Sequence, residues 1–198
     1  MIRADRDGAV LTLVIDRADK ANALTSDMLG DLCQRVEGIG SGTGLLILTG
    51  SGDKVFSAGA DLAEAGSGLA GSPLWERLSG AIAATPCLTV AALNGTLAGG
   101  AFGMALACDI RLSVPHAAFF YPVARLGYLP QPSDPGRLAA LIGPARAKLI
   151  LAAGARLDAA EALSFGLIDR ITEDPLSAAR ALAGDDPAHV AAIKAMVP

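Results

Sequence analysis

Between Leu78 and Cys108 the chain carries no Asp, Glu, Lys or Arg, a span long enough to cross a bilayer as a single helix. Whatever this chain folds into must bury that segment, and three interruptions decide how. Thr85-Pro86, Asn94-Gly95 and Gly99-Gly100 are turn and breaker signals. A break exposed to hydrocarbon would leave backbone N–H and C=O groups unpaired. The segment therefore reads as a buried strand, a turn and a buried helix inside a globular core. A hydrophobic fraction of 52% with only 4% aromatic residues builds that core from small and aliphatic side chains, which suits buried parallel strands.

At 198 residues the chain has the length of one domain, and no internal repeat or linker divides it. Ile2 to Asp16 reads as a hairpin turning near Asp7-Gly8, with Val10 to Ile15 strongly strand-prone. Thr25 and Ser26 are N-cap candidates for a helix from about Asp27 to Val36. Leu45 to Leu48 is an apolar run of a buried strand. A helix is expected from about Pro73 to Ala84, stopped before Thr85-Pro86, then a strand over Leu88 to Leu93. A further helix is expected over about Gly99 to Ala107, and a strand over Asp109 to Val114. Helices near Gly136 to Leu141 and Ala145 to Ala152 come next. Asp158 caps another helix to Phe165, Leu167 to Ile171 is extended, and Asp174 and Asp185-Asp186-Pro187 start two last helices. Strands alternating with helices predict an α/β fold with parallel strands.

Charge and motif screens narrow the function. Sixteen basic against twenty acidic residues give a net charge of −4, with no Lys/Arg cluster, which argues against nucleic-acid or anionic-membrane partners. There is no Gly-Lys pair for a phosphate-binding P-loop and no GxGxxG after a strand. His116 and His189 stand far apart, without metal-ligand spacing or a nucleophile elbow, so no metal site is expected. Cys33, Cys87 and Cys108 are widely spaced in apolar surroundings and read as reduced, buried thiols of a cytoplasmic protein. Met1 to Asp7 lacks the apolar centre of a secretory signal.

Two glycine-rich segments remain. Ser57-Ala58-Gly59-Ala60-Asp61-Leu62 lies between a strand and a helix start, and Leu97-Ala98-Gly99-Gly100-Ala101 heads the apolar helix. Free backbone N–H groups at such places could converge as an oxyanion hole for a carbonyl. Equally, both could be tight turns using small residues for close packing. On the residues alone both readings stand.

A resemblance extends the reading. Lys20-Ala21-Asn22-Ala23-Leu24, Phe56 to Leu62, Ala92 to Gly100, Cys108-Asp109-Ile110 and Ala159 to Asp169 resemble, in order, the signatures of the enoyl-CoA hydratase/isomerase (crotonase) family. That likeness implies a spiral of ββα units with a shortened C-terminal helical part: a core over 1–172 and a helical segment over 173–198. It implies an acyl-CoA partner, with coenzyme A entering as part of the substrate and no separate cofactor. The Ala60 and Gly100 N–H groups would form the oxyanion hole. Ala21, Ala23, Ala58, Asp61 and Leu62 would line the CoA site, Lys20 and Lys54 would meet its phosphates, and Leu97 and Gly99 would be further substrate-binding residues. Asp61 could equally cap the following helix.

Hydratases of this family use two glutamates, in G-G-x-x-E and P-E patterns. Here Gly103 and Val123 stand at those places, the latter after Pro122. Neither side chain can carry a proton, so isomerisation or another enolate reaction is expected over standard hydration. Gly103, Pro122 and Val123 then read as acyl-pocket residues, with Gly103 making room for substrate or for a packed neighbour. Asp134 is the candidate acid in the following loop, or the cap of a helix beginning at Pro135; Tyr121, Arg125 and Tyr128 are further polar candidates nearby. A catalytically inactive acyl-CoA binder or assembly subunit is the alternative. Relatives continue beyond Pro198 into helices that cover the pocket, and a homotrimer or hexamer is expected by resemblance.

Overall fold

In the computed structural model, which describes residues 1–197, the chain opens with the expected hairpin. It pairs β1 (Ile2–Asp7) with β2 (Val10–Ile15) in antiparallel register, Asp7 opposite Val10. Thr25 then caps α1 (Ser26–Glu37) by accepting from the Met28 N–H. Three turns of one pattern come after it, each a long strand, a short strand and helix. The first is β3 (Leu45–Gly50), β4 (Val55–Ser57), α2 (Leu62–Ala65) and α3 (Pro73–Ala84); the second is β5 (Leu88–Leu93), β6 (Thr96–Ala98) and α4 (Ala101–Ala107). The third is β7 (Ile110–Ser113), β8 (Ala118–Phe120), α5 (Val123–Leu126), α6 (Asp134–Ile142) and α7 (Pro144–Leu151). The chain closes with β9 (Arg156–Asp158), α8 (Ala159–Phe165), β10 (Arg170–Ile171), α9 (Pro175–Arg180) and α10 (Pro187–Lys194).

Long and short strands sort into separate sheets. The first has the order β1-β2-β3-β5-β7-β10, parallel from β2 onward. The second has the order β4-β6-β8-β9, with only β8 and β9 antiparallel. This is the expected α/β spiral of ββα units. None of the four strands of the second sheet is visible in the sequence pattern, since each is three residues long.

Alternation along the long strands explains their uniform apolarity. Leu46, Leu48, Ala91 and Leu93 point into the main core against α1, α3 and α4, while Leu45, Ile47, Val90, Ala92 and Leu112 face the other way. That second face is covered by Leu176 and Ala179 of α9, so the segment from 173 onward completes the sheet's burial. The Lys194 ammonium at the end of α10 donates to the Cys87 carbonyl at 2.9 Å and pairs with Asp109 at 2.7 Å. Among the described residues no helix is long and apolar enough to cross a membrane. The uncharged segment is instead α3's last turns, β5, β6 and α4.

Two side-chain amides tie the sheets together. Asn22 is buried, with φ of 52°. Its Nδ2 donates to the Ser51 and Val55 carbonyls at 2.9 and 2.7 Å, and its Oδ1 accepts from the Arg17 N–H. Asn94 accepts from the Gly50 N–H and donates to Gly52 and Val55 carbonyls. Asn22→Ala strands these carbonyls and places alanine in the left-handed region that asparagine tolerates. It should lower the unfolding free energy by about 3 kcal/mol, measured by urea denaturation.

Candidate active site

The parallel pairing of β4 with β6, Ser57 opposite Leu97, makes the next residues of both strands leave the second sheet side by side. Gly59 has φ of 91° and Gly99 of 58°, values that glycine adopts readily. Space is as strict as angle here. A Cβ on Gly59 would stand 3.1 Å from both the Ala98 carbonyl and the Gly100 nitrogen, and one on Gly99 would stand 3.2 Å from the Ala58 carbonyl. Only side-chain-free backbone lets these loops touch.

The backbone groups around Ala60 are then sorted by pairing. Leu24 bridges to Ala60: the Leu24 N–H donates to the Gly59 carbonyl at 2.8 Å, and the Asp61 N–H donates to the Leu24 carbonyl at 2.9 Å. Among the described residues the Ala60 N–H meets no acceptor, and neither does that of Gly100, which precedes the first turn of α4. Both residues border a cavity of about 130 Å³. Gly100 lies on the indole of Trp75, where an added Cβ would stand 3.1 Å from Cδ2 and Cε2. The indole N–H is occupied by the Leu69 carbonyl at 2.8 Å, so Trp75 offers the pocket an apolar face.

Of the residues singled out from the sequence, Ala58, Ala60, Leu62, Gly99, Gly100, Pro122 and Val123 line this one cavity. Lys20 and Lys54 are exposed outside it, with Lys54 bordering a smaller hollow beside Asn22 and Ser51. Ala21 holds φ of 51° and Ala23 is buried. Leu97 and Gly103 are buried away from the cavity. Asp61 caps α2 by accepting from the Ala63 N–H and pairs with Arg17, whose guanidinium holds the carboxyl below the usual range. The sequence reading missed Trp75, Ala70 and the rim residues Leu126 and Leu129. Trp75 sits at helical spacing on α3, where an aromatic looks like any core residue, and being the chain's one tryptophan was the only signal.

The sequence model of the enoyl-CoA hydratase/isomerase family matches residues 5–197. The chain belongs to that family. The Bacillus subtilis protein YngF is 35% identical over 167 residues, covering 81% of this chain and 64% of that one. The short-chain-enoyl-CoA hydratase of Clostridium acetobutylicum is 33% identical over 180 residues, covering 85% and 67%. The chain thus spans about two thirds of the length of these curated relatives. Among solved structures, Pseudomonas aeruginosa DspI superposes with a TM-score of 0.91 at 29% identity, over 99% of this chain and 85% of that one.

Within this member of the family the cavity wall holds two titratable side chains, Tyr121 and Tyr128. Behind Tyr121 lies Asp134. It is the first residue of α6, flanked by Ser133, and its fully buried side chain turns inward instead of capping the helix. The Tyr121 hydroxyl donates to Asp134 Oδ2 at 2.9 Å, while Oδ1 has no partner. Oδ1 fills the space beside α4 that a side chain at 103 would need, only 2.9 Å from a Cβ placed on Gly103. Burial pushes the Asp134 carboxyl up to about 6, against the opposing pull of the Tyr121 hydrogen bond and the Arg137 charge. Burial also raises the Tyr121 hydroxyl. Of the three buried thiols, that of Cys108 is pushed up to about 12. Among the described residues no group of three His, Cys, Asp or Glu side chains is placed to hold a metal ion.

A raised carboxyl favours the folded state below its unfolded pKa of roughly 4, and that advantage is lost as pH rises through about 6. Asp134→Asn removes this dependence. The unfolding free energy of the variant relative to the parent should therefore climb by about 3 kcal/mol between pH 4 and pH 7, read from paired urea melts across that window.

Proposed function

We propose that the cavity binds an acyl-CoA thioester and that the Ala60 and Gly100 N–H groups donate to its carbonyl oxygen, stabilising an enolate. One observation carries the reading: two unpaired N–H donors on loops in contact, at the edge of an otherwise apolar pocket. Such donors act on charge that develops in the transition state, and an apolar, water-poor wall strengthens them. The family's acyl-CoA chemistry supports the same choice of substrate.

The proposed reaction is movement of a double bond between the 3- and 2-positions of an enoyl-CoA. In it, Tyr121 oxygen takes the α-proton as its own hydroxyl proton passes to Asp134. The reverse transfer delivers a proton to the γ-carbon, so nothing is gained or lost over the cycle. The raised affinity of Asp134 for a proton suits such an exchange near neutral pH. Lys20 and Lys54 are proposed to meet the CoA phosphates, and Ala21, Ala23 and Ala58 its pantetheine arm. The resemblance also motivates a cytoplasmic homotrimer or hexamer, which sedimentation equilibrium tests.

The functional test is a spectrophotometric assay on short and medium 2-enoyl- and 3-enoyl-CoA. Isomerisation is expected, with kcat/KM rising through about pH 6 as Asp134 loses its proton. Ala60→Pro deletes one donor and should lower kcat by about a hundred-fold. Asp134→Asn should lose both the rate and its pH dependence. CoA binding without turnover on any enoyl-CoA would replace this reading with that of an acyl-CoA binder.

A further inference from the structure

A second cavity, of about 330 Å³, shares a wall residue with the acyl pocket: Pro122 lines both. Its wall carries two arginines, Arg125 and Arg156, together with Phe120 and the small residues 153–155, and no acidic side chain. The arginines are positioned by different elements. The β8–β9 ladder sets Phe120 opposite Arg156, and the Arg156 guanidinium carbon lies 4.8 Å from the centroid of the Phe120 ring, a cation–π distance. Arg125 projects from α5 over Gly154, where an added Cβ would stand 3.1 Å from its Nε. The glycine makes room for that side chain.

Among the described residues neither Arg125 nor Arg156 pairs with a carboxylate, as is also true of Arg6, Arg137, Arg146, Arg170 and Arg180. What sets these two apart is that both, though exposed, border one cavity. Two unpaired guanidiniums on one cavity wall, with no acid in its lining, attract an anion, and their planar forks match a carboxylate or a phosphate. Position separates the two sources. The hollow beside Lys54, where CoA phosphates are proposed to sit, shares no lining residue with the arginine cavity, whereas the acyl pocket does.

We propose that Arg125 and Arg156 hold the distal carboxylate of an acyl group that runs past Pro122, making ω-carboxyacyl-CoA thioesters the substrate class of this site. The proposal rests on the acyl-CoA reading above and adds a charge at the far end of the chain. Calorimetric titration of the intact protein with glutaconyl-CoA and with its uncharged ω-methyl ester tests it. The free carboxylate should bind at least ten-fold tighter than the ester at low salt, with the ratio falling as ionic strength rises. Arg125→Ala and Arg156→Ala should each reduce that ratio, and the double variant should bring it to one. Equal affinities in the parent protein overturn the proposal while leaving the acyl-CoA reading intact. So does a double variant that weakens both thioesters alike, the result expected if the arginines serve a CoA phosphate. Binding of neither thioester overturns the acyl-CoA reading, and this proposal falls with it.

Discussion

The contact between Gly59 and the Gly99-Gly100 backbone is the constraint on which the rest of the site depends. Two short parallel strands aim two loops at the same place, but parallel strands alone would leave side chains between those loops. Here the approach is closed to about the separation at which a single Cβ would collide with backbone. Once the loops touch, the Leu24 bridge uses up the groups on either side of Ala60, and the N–H left over has only the cavity to serve. The same contact sets the position of Trp75. Gly100 has no side chain, so a flat aromatic can seat directly beneath it.

Holding that contact is the work of groups some distance away. Asn22 and Asn94 both donate to the Val55 carbonyl, one from the loop after β2 and the other from the turn after β5. That carbonyl lies at the start of β4, so both amides fix the strand that launches the Gly59 loop. A buried amide such as that of Asn22 is costly unless satisfied, and that of Asn94 is half-buried. Here their partners are backbone groups at strand ends, which no ladder serves.

How much of this was legible depended on the length of each signal. The helix Pro73–Ala84 and the strand Leu88–Leu93 appear with the boundaries their sequence suggests, because Pro86 and the Asn94-Gly95 turn bracket them and each is long enough to show a period. The second sheet left no trace, since three residues show no period and each strand depends on its neighbours. The helix expected from Gly99 begins at Ala101, because the left-handed Gly99 belongs to the loop contact. The glycine loops were readable as a pair of small-residue turns, but whether their N–H groups were free depended on the distant Leu24. Asp134 was readable only as an alternative between acid and cap. Its local surroundings in the chain dictate that it starts a helix, while the direction of its side chain depends on a gap on α4, thirty-one positions earlier.

That gap gives Gly103 a physical reason. Glycine inside a helix costs about 1 kcal/mol relative to alanine, and α4 is otherwise made of fully packed apolar residues. A Cβ at 103 would press to 2.9 Å from Asp134 Oδ1, so the glycine leaves the buried acid its place without a shift. The other shifted carboxyls, Glu37, Asp61 and Asp174, lie below their ordinary values through hydrogen bonds or an arginine partner. Asp134 alone among them is shifted upward, with one oxygen on a pocket tyrosine and the other unpaired. A carboxyl kept for stability would be capped or paired as those three are. One held dry and half-satisfied against a cavity wall is strained in the direction of taking up a proton.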